Sequence, residues 1–183
     1  MFNHNLFLRD LAFPKQMEWE EFKNQVQKLI VNKRGRAIAP HKAILLLSII
    51  DMIETNCVCT PFIPLSKELE RTFISNWRRY VPNKSLFHCS LHYPFYHLSS
   101  SPFWKLWKTP NYEPKKEYSA TALKRSFYGA IIPETIFEML KIPDYREEIR
   151  NIIRSQYINP PSSQNSNLIS PLLLLFASSF IIA

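Results

Sequence analysis

The stretch IAPHKAILLLSIIDMIE, residues 38 to 54, carries the chemistry that stands out in this chain. Pro40 fits the first helical position, where its missing N–H costs nothing. His41 and Lys42 follow it, and Lys33, Arg34 and Arg36 precede it around Gly35. A helix N-terminus already carries about half a positive charge and favours anions. Two more potential cations there are mismatched unless an anion is to be bound. Unpaired N–H groups beside lysine and arginine form a ready phosphate site. A Lys42 that simply bends into water, at about a few tenths of a kcal/mol, is the plainer alternative. The basic loop directly alongside favours phosphate, with Lys33, Arg34 and Arg36 as further contacts.

A second group of reactive types lies at His88, Cys89, His92 and His97. These are metal-ligating side chains, but their spacing matches no standard zinc pattern, and ordinary histidines of an aromatic loop are expected. Nucleophilic catalysis has no signal: there is no G-x-S-x-G and no cysteine-protease context. The chain has two glycines, Gly35 and Gly129. It therefore contains neither a P-loop nor a GxGxxG nucleotide fingerprint. Tyr93-Pro94-Phe95-Tyr96 offers flat, rigid surface that can stack on bases. Taken alone, it reads as core.

These residues must be positioned by elements that the patterning predicts. Residues 17 to 31 read as an amphipathic helix on Trp19, Phe22, Val26, Leu29 and Ile30, with three glutamates in its first turn. Residues 41 to 54 are apolar nearly all round, the mark of a buried central helix. NCVCTPFIP reads as an extended connector. Ser66 and Ser119 read as caps of the next helices. LHYPFYHL (91 to 98) and PFWKLWK (102 to 108) suit short strands joined by a Ser-rich turn, with Pro94 at a strand start or sheet edge. Pro133 opens a helix through Leu140, and Asp144 caps the last one. The expected fold class is α+β, a mainly α-helical single domain with a small β-hairpin. It spans residues 1 to 158. Residues 159 to 183 form a linker and an apolar tail. The uninterrupted apolar stretch after Pro171 is shorter than the 20 or so residues that a spanning helix needs. An anchor, a buried segment and the product of an interrupted reading frame all stay open for it.

Charge bounds the partners. The chain has 183 residues, 23 Lys and Arg against 15 Asp and Glu, and a formal net charge of +8. A basic balance raises the prior for a polyanion, nucleic acid first and anionic membrane second. Three cysteines do not make an even disulfide framework, and the N-terminus lacks the pattern of a signal peptide. A cytoplasmic protein with reduced thiols is expected.

Three pieces in order have a familiar look: P-H-K before an apolar helix, Y-P-F-Y-H-L with a following F-W-K-L, and L-K-R-S-F-Y-G-A-I-I-P-E before D-Y-R-E-E-I-R. From about Met17 to Ile158 this order resembles the sulfur-binding domain of phosphorothioate-dependent, McrA-like HNH restriction endonucleases. The resemblance implies a DNA-recognition module of a restriction-type defence system. Its partner would be double-stranded DNA in which sulfur replaces a non-bridging phosphate oxygen. It maps the sulfur cavity onto Tyr93 and Pro94, the helix-start pair onto His41 and Lys42, and the basic residue before the last helices onto Arg125, with Lys124 beside it. His97 departs from the family, which can carry a small residue three positions after the proline. The family cuts DNA with a downstream HNH domain that uses histidines and a divalent metal. No histidine follows His97, so no nuclease activity and no cofactor are expected of this polypeptide. Three alternatives stay open: a general DNA-binding module without sulfur preference, an atypical metal-dependent endonuclease around His88, His92 and His97, and a membrane-associated effector acting through the tail. Oligomeric state is not readable.

Overall fold

The computed structural model describes residues 4–115 and 118–159, with side chains from Gln16 onward. Among the described residues the chain forms seven α-helices and five short strands. The tail readings for residues 160 to 183 lie outside the described residues.

The fold is built around α2 (His41–Glu54). Its residues from Ala43 to Ile50 are all buried, as an all-round apolar helix requires. Around it pack α3 (Lys67–Tyr80), α4 (His92–His97) and α7 (Pro143–Ile153), with α1 (His4–Gln27) packed on α7. The short helices α5 (Ala120–Ser126) and α6 (Glu134–Leu140) complete the shell. Ser66 and Ser119 cap α3 and α5 as expected, accepting from the Leu69 and Ala122 N–H groups at 3.1 and 3.2 Å. Helix α7 is entered differently from the expectation. Ile142 is the N-cap and Pro143 takes the first turn, so Asp144 is already inside the helix. Helix α1 begins at His4 rather than near Met17, so its glutamates are not in its first turn. It ends at Gln27, and the Leu29 N–H is taken instead by the Tyr157 hydroxyl at 3.0 Å.

Two small antiparallel sheets accompany the helices. The basic loop is a tight hairpin, β1 (Lys33–Arg34) with β2 (Ala37–Ile38), turned by Gly35 at φ +58°. The second sheet has the order β3 (Phe62–Pro64), β5 (Phe127–Ile131), β4 (Lys105–Lys108). Gly129 sits on its central strand because nothing larger fits: a Cβ there would strike the Ile63 carbonyl oxygen and the Phe62 ring. Gly129→Ala is expected to destabilise the domain by about 2–3 kcal/mol, read as a lowered denaturation midpoint, since the backbone oxygen cannot swing away.

The hairpin expected over residues 91 to 108 does not form. Only its second half is a strand, β4, and that strand pairs with β5. The first half is α4, followed by a 3₁₀ turn over Leu98–Ser100. Phe95 and Leu98 are both fully buried, a spacing of three that a helix presents on one face and a strand does not. Pro94 lies in the first turn of α4, where a missing N–H is harmless.

Candidate nucleic-acid interface

The N-terminus of α2 has no side-chain cap and no acidic residue in its first turn. Its orphan N–H groups are therefore left for another acceptor. Lys42 is 8% exposed, and its ammonium donates only to the Ser100 hydroxyl, at 3.1 Å. No carboxylate pairs with it among the described residues. Burial alone lowers its pKa below the ordinary lysine value. A buried charge without a counter-charge is costly.

His41 differs from the expectation of a second cation. Its Nε2 donates to the His88 carbonyl at 2.8 Å, and its ring lies against Trp77 and Phe87, with centroids 4.7 and 5.9 Å away. Burial lowers its pKa below 6.5, the His88 bond opposes this, and the neighbouring Arg34 lowers it again. The net lowering favours the neutral imidazole, whose Nδ1 is then an acceptor. Arg34 donates to the Leu86 carbonyl at 2.8 Å and stands 5.4 Å over the Phe87 ring. Lys33 and Arg36 are exposed on the same hairpin.

Helix α4 packs on both α2 and α5 and so joins the remaining candidates to this end of the molecule. Ser100, which meets Lys42, also donates to the His97 carbonyl at 2.9 Å. Tyr93 is half-exposed and Pro94 buried. His97 is exposed, and three residues after Pro94 it shares that side of α4. On α5, Arg125 is exposed, whereas Lys124 is paired with Glu70 at 3.3 Å. Between α3, α5 and residues 89 to 92 lies a groove of about 470 Å³ with Phe73, Trp77, Leu91 and Leu123 in its lining and Arg78 and Lys124 among its charges.

The histidine cluster does not assemble. Among the described residues no three metal-ligating side chains converge. His88 presents its carbonyl to His41, and His92 Nδ1 meets the Ser90 hydroxyl at 3.0 Å. All three cysteines are free and exposed.

The sequence reading missed Ser100, Trp77 and Phe87. It also missed a distribution that was there to be seen. No acidic residue occurs between Glu21 and Asp51, between Glu70 and Glu113, or between Glu117 and Glu134. Those three segments supply the start of α2, the end of α3, all of α4 and all of α5. The fold gathers the acid-free parts of the chain around the Lys42 site.

The fold is that of a solved sulfur-binding domain. That structure is the sulfur binding domain of ScoMcrA complexed with phosphorothioated DNA, matched with a TM-score of 0.60 over 78% of this chain and 90% of that one. Identity between the two is 15%, so the likeness is one of fold. No protein-family model matches the sequence, and no curated protein matches it. No helix among the described residues is long and apolar enough to cross a membrane.

Proposed function

We propose that this chain is a duplex-DNA reader of a restriction-type defence system, and that it prefers a phosphorothioate-modified backbone. The observation that carries the reading is Lys42: a buried ammonium without a carboxylate, at an uncapped helix start. A backbone phosphate supplies the missing charge and accepts the α2 N–H groups. Exposed Lys33, Arg36 and Arg125 then take flanking phosphates and make affinity salt-dependent. Arg34 and His41 serve this surface as positioning residues through the carbonyls they hold.

Sulfur preference rests on Tyr93 and Pro94. Sulfur is larger and more polarisable than oxygen and a weaker hydrogen-bond acceptor. A wall of proline and tyrosine ring carbons offers no donor, so an ordinary phosphate oxygen placed there loses hydration uncompensated, at about 1–3 kcal/mol. His97, exposed three residues further along α4, would stand at the rim of such a wall.

The test is duplex binding at two salt concentrations, comparing an Rp-phosphorothioate site with its unmodified twin. A clear preference for the modified duplex is expected, with Pro94→Ala narrowing it more than it lowers general affinity and His97→Ala widening it. Equal, salt-sensitive binding retains the DNA reader and discards the sulfur wall. Absence of binding to both refutes the proposal.

A further inference from the structure

Resting on the reading of this face as a duplex-DNA site, we infer that Leu86 is its sequence-reading residue and that it contacts a thymine methyl group. Leu86 is 57% exposed in the loop between α3 and α4. The loop that carries it, between α3 and α4, is not loose. Arg34 holds the Leu86 carbonyl, and His41 holds the His88 carbonyl, both at 2.8 Å. The intervening Phe87 ring is wedged between them, 5.9 Å from the His41 ring and 5.4 Å beneath the Arg34 guanidinium. Two clamps and a packed ring therefore fix the backbone of Leu86 to the very elements that flank the phosphate site, while its own side chain projects outward.

The surroundings choose the partner. Lys84 in the loop and Arg34 at the Leu86 carbonyl are exposed, as is Arg36 on the same hairpin as Arg34, and neither the hairpin nor the loop contains an acidic residue. A polyanion fits such a rim, and an apolar partner surface alone does not. The apolar group that duplex DNA displays at its base edges is the thymine C5 methyl, in the major groove. An isobutyl group on a rigid, cationic platform is complementary to it. Arg34 and His41 then act through Leu86 as well as beside the phosphate.

The test uses an Rp-phosphorothioate duplex with A·T flanks and its twin carrying deoxyuridine for every flanking thymine. The full chain is expected to bind the thymine duplex about three- to fivefold more tightly, the value of one buried methyl. Leu86→Ala should abolish that ratio while leaving the salt slope intact, and Leu86→Ile should retain most of it. Equal binding of both twins by the native chain, or a ratio that survives Leu86→Ala, overturns the assignment and leaves the DNA reader standing. Binding to neither duplex removes the DNA reading and this inference with it.

Discussion

Lys42→Met is expected to make the protein more stable and a much poorer DNA binder. The ammonium is buried against α2 with a single hydroxyl partner, so the folded state bears part of its desolvation. Methionine keeps the length and the packing and removes the charge. A gain of about 1 kcal/mol is expected, roughly 2–4 °C in the thermal midpoint. Duplex affinity should fall about tenfold or more, and the salt slope should drop by about 1 as one phosphate contact is lost. Titration gives the same result in the native chain. Burial lowers the Lys42 pKa, so between that depressed value and 10.5 the unfolded chain holds a proton that the folded one has released. Stability from this group therefore rises with pH across that window, and its cost is fully present below it. DNA affinity should fall across the same window. Calorimetry and binding isotherms on Lys42→Met and the native chain read both effects. A variant that is destabilised, or that binds duplex normally, would show that the lysine is a structural residue with no anion to meet.

Much of the scaffold was legible because it is written in local rules. An apolar run closed on all sides dictates a central helix. A serine followed by a helical pattern dictates a cap, as at Ser66 and Ser119. The segment from Leu91 to Leu98 reads as strand because three aromatics, Tyr93, Phe95 and Tyr96, favour strand by composition. Its real signal was the spacing of Leu91, Phe95 and Leu98, which only packing against α2 makes decisive. Strand β5 escaped notice for the opposite reason. A glycine weakens any strand pattern, and here Gly129 is required by the Phe62 ring, a residue distant in sequence. The site was half legible. Lys42 and the helix start were proposed from sequence, but the burial that lowers the His41 pKa comes from the Trp77 and Phe87 rings of other elements. The partner of Lys42 was read as a turn residue of a hairpin that does not exist.

Arg150→Ala is expected to cost about 3 kcal/mol of stability and to leave DNA affinity nearly unchanged. Arg150 is 6% exposed and donates to Asp51 at 2.8 Å, Glu147 at 2.6 Å and Glu54 at 2.5 Å. Asp51 is also held by the Asn76 amide at 2.7 Å, and Glu54 by Arg146 at 3.4 Å. The network ties the C-terminal end of α2 to α3 and α7. Removing one partner from such a network leaves carboxylates without their counter-charge, which costs far more than a surface ion pair. Acid should expose the same dependence. The Arg150 bonds depress the Glu54 pKa more than burial raises it, so this stability is present above the ordinary value of 4.5 and is lost as pH falls through the depressed one. In Arg150→Ala that acid limb should flatten, which denaturant midpoints between pH 3 and 7 would reveal. A midpoint unchanged at pH 7 would show the network to be dispensable. The two ends of α2 thus carry opposite burdens. About 18 Å of helix separates Lys42 from Glu54 at 1.5 Å per residue. At one end a charge is kept without a partner at the expense of stability, and at the other every charge is matched. The matched end holds the helix in place, and these two variants should separate binding from stability in opposite directions.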